Sequence, residues 1–265
     1  MTNRILITHN DLDAVGCAIT FKSKYTDIEI QYHTYDTITE ISQSLLDNQD
    51  EYSKIYFADI SPEESEGLQM LDNDKFVILD HHETRTYLQG SKYYRTDYCG
   101  AWISWTYLYP EDEVPDFIMA VDAWDSWKTN SKYRETGEQL NLLGGYYSTD
   151  EFIEQFQSMR SLTPNDLKII EVLNRKKQDY LSKKREQVIV KFDKFGNKYW
   201  KVFIGEPQSG LGNILEIDTD NSIKYLNCIN LNDGYGSLYA LNFDVTEIAK
   251  SYGGGGHPGA AGYPL

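Results

Sequence analysis

Apolar runs in the first third of this chain repeatedly stop at a cluster of polar, metal-competent side chains. Arg4-Ile5-Leu6-Ile7-Thr8 runs into His9-Asn10-Asp11-Leu12-Asp13. Lys54-Ile55-Tyr56-Phe57-Ala58 stops at Asp59, and Phe76-Val77-Ile78-Leu79 at Asp80-His81-His82. Short continuous apolar runs bounded by polar residues read as buried strands, and Glu29-Ile30-Gln31-Tyr32-His33 is a fourth candidate. Between them lie helical patterns: one opening at Ala14-Val15-Gly16-Cys17, and an amphipathic one over Thr39–Asn48 with Ile41, Leu45 and Leu46 on one face. A third is opened by Pro62-Glu63-Glu64, with proline at an early helical position and acids in the first turn. Strand–helix alternation predicts a parallel sheet with right-handed crossovers.

The pattern then changes twice. Tyr98–Tyr109, with Trp102, Ile103, Trp105 and Tyr109 at helical spacing, reads as a core helix. Phe117–Val121 reads as a second helix that delivers Asp122 and Asp125 near its end. Thr136–Tyr147 and Thr149–Arg160 are helical, and a longer helix runs from Thr163 to about Gln187 with Leu167, Ile170, Leu173, Tyr180 and Leu181 as a stripe. Its basic residues Arg175, Lys176, Lys177, Lys183, Lys184 and Arg185 read as a solvated face, with a phosphate-steering patch as the sharper alternative. Beyond it, Val188–Asp193, Tyr199–Ile204, Ile223–Leu231 and Leu238–Phe243 are strand-like, with turns at Gly196-Asn197 and Asp233-Gly234. A short helix is expected from Ser209-Gly210-Leu211-Gly212-Asn213 and another over Val245–Tyr252. The expected organisation is α/β: a parallel-sheet domain over 1–162, a helical linker over 163–188, and a smaller α/β domain over 189–265.

In parallel sheets ligands sit at the carboxyl ends of strands. His9, Asp11, Asp13, Asp59, Asp80, His81 and His82 therefore converge on one crevice, although helix capping would account for Asp11 or Asp13 alone. Carboxylates at a helix C-terminus oppose the helix dipole, a conflict that a cation would remove. Asp122 is the better candidate, but spacing alone does not separate it from Asp125. His33 is isolated and reads as ordinary. At the other end, Gly253-Gly254-Gly255-Gly256-His257-Pro258-Gly259 is a costly run to order. Bare N–H groups there suit an anion, with His257 as a further donor.

Composition narrows the chemistry. The formal net charge is −16, from 41 acidic and 25 basic residues, which argues against a long nucleic acid as partner. It leaves room for a small phosphorylated substrate, since bound cations invert the local field. The three cysteines, Cys17, Cys99 and Cys228, are scattered without metal spacing and suit buried thiols in a reducing cytoplasm. No apolar run approaches ~18 residues, so no membrane span is expected. The N-terminus enters a strand at once, leaving no room for a signal peptide.

Together, His9-x-Asp11-x-Asp13, Asp59, Asp80-His81-His82, Asp122 and the terminal glycine–histidine run resemble the DHH phosphoesterase superfamily. The similarity is to the subgroup with the DHH-associated C-terminal nucleotide-binding domain, which includes RecJ-like exonucleases, nanoRNases, pAp phosphatases and cyclic-dinucleotide phosphodiesterases. Thr8–Asp13 and Asp59-Ile60-Ser61 most resemble its nanoRNase B branch. The resemblance implies a catalytic domain over 1–162 and a substrate-binding domain over 189–265. It also implies two metal ions, usually Mn²⁺ with Mg²⁺ or Co²⁺ as substitutes. One would take His9, Asp11 and Asp59, and the other Asp13, Asp59, His81 and Asp122, with Asp59 bridging. Asp80 would support the site, His82 would face the scissile phosphate, and Gly254, Gly255, Gly256 and His257 would hold the far end of the substrate. A water activated by the metals would then attack phosphorus in line, releasing nucleoside 5′-monophosphates from short oligoribonucleotides. Alternatives are a pAp phosphatase, a linear or cyclic dinucleotide phosphodiesterase, or a nucleotide-binding module without turnover, which would leave the clustered carboxylates unexplained. One departure stands out: many relatives carry an arginine before the final helix, where this chain has Tyr239-Ala240-Leu241-Asn242.

Overall fold

The structure, a computed structural model, describes residues 3–205, 211, 212, 214 and 222–265, apart from the side chain of His257. The chain divides into two compact units, Met1–Ile170 and Glu171–Leu265.

The first unit is built on four parallel strands: β1 (Arg4–Thr8), β2 (Ile28–Tyr32), β3 (Lys54–Ala58) and β4 (Phe76–Leu79). Their order is β2-β1-β3-β4. The chain moves from β1 to one side and then returns past it to β3, so the strand order reverses between β1 and β3. Crevices at such switch points are where ligands bind in open α/β sheets, and here Thr8 and Ala58 are register partners at the strand ends. The Thr8 hydroxyl donates to Ala58 O at 2.8 Å, pinning the two ends together.

Alternation along each strand makes two cores. Ile5, Ile7, Ile55, Phe57 and Ile78 face one side, covered by Ile38 and Leu45 of α2 (Ile38–Asp47) and Met70 of α3 (Glu64–Leu71). Leu6, Tyr56, Ala58 and Leu79 face the other. That side is covered by α1 (Leu12–Lys24), α4 (Gly100–Leu108), α5 (Asp116–Asp125), α6 (Arg134–Gly144) and α7 (Thr149–Phe156). Phe21 and Phe57 are fully buried, and each side chain contributes about 1.5–3 kcal/mol by leaving water. Trp102, Trp105 and Tyr109 pack against this core but are only partly buried. Pro62 stands outside α3, because Glu63 is the N-cap. His33 is satisfied locally, by Thr37 Oγ1 at 3.2 Å and Gln31 Oε1 at 3.3 Å.

Helix α8 (Pro164–Glu186) corresponds to the expected linker, and the division between the units falls inside it. Its basic face is not uniformly solvated: Lys177 is buried and Lys184 donates to Phe203 O at 2.7 Å.

The second unit carries a six-stranded sheet in the order β5-β6-β7-β8-β10-β9. Its strands are β5 (Ile189–Phe192), β6 (Lys198–Ile204), β7 (Leu226–Asn230), β8 (Tyr235–Tyr239), β9 (Gly255–His257) and β10 (Ala260–Pro264). Only β6 and β7 pair in parallel. Strand β8 starts earlier than the apolar pattern predicts, because Gly234, at φ 65°, completes the turn immediately before it. Ser209, Gly210 and Asn213 of the expected short helix lie outside the described residues.

Helix α9 (Thr246–Lys250) leads into the glycine run, which is neither a tail nor wholly a bare loop. Gly253 and Gly254 donate their N–H groups to Lys250 O and Ala249 O, closing the helix C-terminus. Gly255 and Gly256 then enter β9, paired with β10. A Cβ at Gly254 would collide with Gly262 O, and one at Gly256 would meet Ala261 Cα at 2.5 Å. Two of the four glycines are thus demanded by close backbone approach within a hairpin. Gly254 cannot offer its N–H to a ligand while it caps α9.

Candidate metal centre

The loop after β1 turns into α1 through Asp11, whose Oδ1 accepts from Ala14 N at 3.0 Å as the helix N-cap. Its second oxygen, Oδ2, lies 3.3 Å from His9 Nδ1. Capping and ligand-type placement coexist in one carboxylate. Burial works against the charge of Asp11, but His9 and the Ala14 N–H outweigh it and hold its pKa below the ordinary value.

Asp13 is buried one turn into α1. It receives the N-terminus of α4: Gly100 N donates to Oδ2 at 2.6 Å and Ala101 N to Oδ1 at 2.7 Å. A helix N-terminus is a favourable partner for a carboxylate, and it offsets the loss of water around this one.

Asp59 follows β3 with φ 59°, the left-handed region that a non-glycine residue rarely adopts. That backbone turn carries a fully desolvated carboxylate: Oδ1 is 3.2 Å from His81 Nε2, and Oδ2 is buried with no hydrogen-bond partner. Burial, then the charges of Asp13 and Asp11, push its pKa well above the carboxylate range. An unpaired buried carboxylate oxygen among other carboxylates is a costly arrangement unless a cation completes it.

His81 is the hub. Its Nε2 also lies 3.7 Å from Asp13 Oδ2 and 3.6 Å from Asp125 Oδ2. Asp125 Oδ2 is likewise buried without a partner. Burial, then the charges of Asp13, Asp11 and Asp122, push the Asp125 pKa up to about 9 against the opposing charge of Lys128.

Asp122 is placed differently. Its Oδ1 accepts from Cys99 N at 3.0 Å and Ser126 Oγ at 3.3 Å, and its Oδ2 from Lys128 Nζ at 2.5 Å. These bonds turn it toward the start of α4 and toward Lys128, and Asp125 is the α5 carboxylate that reaches His81. In this geometry Asp125, and not the expected Asp122, joins the group around His81. Nothing in the local pattern separates the two, because both residues sit within one turn of the helix end.

Asp80 has no oxygen to spare. Oδ1 accepts from His81 N at 2.6 Å, His82 N at 3.1 Å and His82 Nδ1 at 2.7 Å, while Ser61 Oγ donates to Oδ2. It fixes both histidines from behind. The far nitrogen of His82, Nε2, meets the hydroxyl of Tyr35 at 2.9 Å. Burial opposes charging of His82, but the hydrogen bond and charge of Asp80, then Asp13 and Asp11, raise its pKa.

Among the described residues, three groups have potential ligand atoms mutually within 4.8 Å: His9, Asp11 and Asp59; Asp13, His81 and Asp125; and Asp59, His81 and His82. All belong to the first unit. The donors are carboxylate oxygen and imidazole, a set suited to a hard or borderline divalent ion. Cys17 and Cys99 lie nearby, but burial raises both thiols well above their usual range and keeps them protonated. The residues present therefore fit a divalent-metal site. The side chain of His257 lies outside the described residues, so the donor expected from it has no described position.

Gly100 is a site residue that the apolar pattern did not single out. A Cβ there would sit 2.7 Å from Asp59 Cβ and 3.0 Å from Asp13 Oδ2. Gly100→Ala must push two metal-competent carboxylates apart. It is expected to reduce metal-dependent turnover by about 10–100-fold, the cost of ~1 Å misplacement. A rate titration with Mn²⁺ should show the half-saturating concentration rising as well; unchanged values would show that the site does not need this contact.

No family model matches the sequence. The chain is 25% identical over 287 residues to oligoribonuclease NrnB of Bacillus subtilis (strain 168), covering 97% of this chain and 71% of NrnB. Its fold matches that of RecJ from Thermus thermophilus, solved in complex with Mn²⁺, with a TM-score of 0.59 at 13% identity. That match covers all of this chain and half of RecJ. In sequence and fold the chain is similar to proteins of the DHH phosphoesterase superfamily. A second structure of the same fold is the pGpG-specific phosphodiesterase PggH from Vibrio cholerae. It has a TM-score of 0.58 at 15% identity and covers 99% of this chain and 93% of PggH. The parallel sheet, the second sheet and the two-unit organisation are those expected of this superfamily.

Proposed function

We propose that this chain is a DHH-family phosphoesterase that hydrolyses short oligoribonucleotides to nucleoside 5′-monophosphates with two divalent cations, Mn²⁺ foremost and Mg²⁺ or Co²⁺ as substitutes. The observation that carries the reading is Asp59. It is a member of both the His9–Asp11 group and the His81–His82 group, and its Oδ2 is buried without a partner. His9, Asp11 and Asp59 would hold one ion; Asp13, Asp59, His81 and Asp125 would hold the other, with Asp59 shared.

Bound there, the ions supply Lewis acidity to the phosphate oxygens and to the attacking water. The protein's own groups do the rest. His82 is held by Asp80 at Nδ1, and its raised pKa favours the imidazolium form, whose Nε2–H is at the end it now shares with Tyr35. That N–H is the donor we assign to the phosphoryl oxygen where negative charge develops. Asp13, tied to the N-terminus of α4, and Asp80, tied to Ser61, keep the constellation from reorganising during the reaction. Gly255, Gly256 and His257 remain the residues assigned to the distal end of the substrate. Gly254 joins them only as a hairpin support, since its N–H caps α9.

The similarity to NrnB supports the oligoribonucleotide reading, and the net charge of −16 disfavours long polyanions. Buried free cysteines fit a reducing cytoplasm. No helix among the described residues is long and apolar enough to cross a membrane.

The test is direct. The full chain is incubated with Mn²⁺ and end-labelled di- to pentaribonucleotides, with pAp and pGpG in parallel. Release of 5′-mononucleotides that stops on chelation is expected. Failure to release mononucleotide from any RNA would overturn the reading, and faster turnover of pGpG or pAp than of RNA would move the substrate to those dinucleotide-like molecules.

A further inference from the structure

A cavity of about 300 Å³ opens beside the metal-competent cluster, within the first unit, and shares the Asp11 wall with it. It lies between the loop after β1, the start of α1, the end of α6 and the start of α7. One wall is apolar, from Leu12, Val15 and Phe152, and Asn10 and Asn141 line it as well. Among the described residues neither amide is engaged by a hydrogen bond within the chain. Gly144 forms part of the rim, and a Cβ there would meet nothing within 4 Å.

We infer that this cavity is a nucleobase subsite for the nucleotide next to the scissile phosphate. The inference rests on the phosphodiesterase reading above and deepens it. The volume is at the lower end of the roughly 300–1,000 Å³ of small-molecule pockets, room for a base rather than a dinucleotide. No basic side chain lines it, so its chemistry does not favour a phosphate. An apolar face joined to two open amides, each with two N–H donors and a carbonyl acceptor, matches a flat heteroaromatic ring with polar edges. The position matches too, because Asn10 lies between His9 and Asp11 in sequence. A base held there is tethered one sugar away from a phosphate at the cluster. The same cavity explains why small residues end α6: a side chain at Gly144 would narrow the rim.

The experiment compares two substrates of the full-length protein with Mn²⁺: a diribonucleotide, and bis(p-nitrophenyl) phosphate, which has the phosphodiester but no base. The readout is the ratio of their kcat/KM values. Asn141→Leu keeps the number and branching of side-chain heavy atoms while removing the amide. It is expected to lower the ratio about three- to tenfold, the loss of one or two neutral hydrogen bonds. Gly144→Trp, which blocks the rim, is expected to lower it at least about tenfold, chiefly through KM. General damage to the fold or to the metal cluster lowers both activities together and leaves the ratio alone. If the wild type cleaves both substrates and neither variant moves the ratio, the subsite is refuted and the phosphodiesterase reading stands. If the wild type cleaves neither substrate, that reading fails and takes the subsite with it.

Discussion

Asp59→Asn is expected to lower Mn²⁺-dependent hydrolysis by at least about 10²–10³-fold while raising the melting temperature of the metal-free protein. The two effects share one cause. Asp59 brings a desolvated carboxylate into a cluster that already holds Asp13, Asp11 and Asp125. Its Oδ2 has no protein partner, so in the absence of cations it contributes repulsion without a compensating bond. The amide keeps the shape and removes the charge. Each kcal/mol recovered shifts the transition of a domain this size by about 2–4 °C. Added Mn²⁺ should then raise the melting temperature of the wild type by mass action and leave Asp59→Asn little changed. Activity within tenfold of wild type, or an unaltered response to Mn²⁺, would remove Asp59 from the shared position.

The second large effect separates the two carboxylates of α5. Asp125→Asn is expected to cost about 10²-fold or more in turnover with the fold intact. Asp122→Ala is expected instead to cost about 2–4 kcal/mol of stability, because Cys99 N–H, the Ser126 hydroxyl and Lys128 all lose their acceptor.

The pH behaviour of Asp125 gives a further check. The Asp125 pKa is raised to about 9 in the folded protein, against an ordinary value of 3.8. Between those values the folded state holds a proton that the unfolded state has released. Stability from this group is therefore complete below about pH 4 and is lost as pH rises toward 9. In chelator, the wild-type melting temperature should fall between pH 5 and pH 9, and Asp125→Asn should flatten that slope. A slope unchanged by Asp125→Asn, together with loss of activity in Asp122→Ala at wild-type stability, would restore Asp122 as the ligand.

Much of the site was legible because its chemistry is local. His9 and Asp59 stand directly after an apolar run, and Asp11 and His81 within three residues of one. A strand that ends in a parallel sheet leaves its next residue at the carboxyl edge, whatever the rest of the chain does. Reading Asp80 as a support comes from the family resemblance. The folded chain adds the partners: its oxygens are taken by Ser61, by two backbone N–H groups and by His82.

Other features depended on contacts far apart in sequence. The glycine run signalled a demand for bare backbone, and the demand is real at Gly254 and Gly256. Its source is a hairpin partner at Ala261 and Gly262 and the end of α9, rather than a ligand alone. Gly100 is the first residue of α4. It matters because the N-terminus of α4 is brought onto Asp13, 87 residues away.

By itself, then, the sequence determined the strands, the switch-point crevice and the donor types, because periodicity 2 and abrupt polar stops are properties of a segment. Only the tertiary structure separated Asp122 from Asp125. They lie three residues apart at the end of one helix, and the difference rests on how α5 packs and on Lys128 turning back to claim Asp122. A segment's own pattern carries no record of which neighbour a side chain will meet. That is settled when buried charges find partners, and the carboxylate left without one, Asp125, is the one that faces His81.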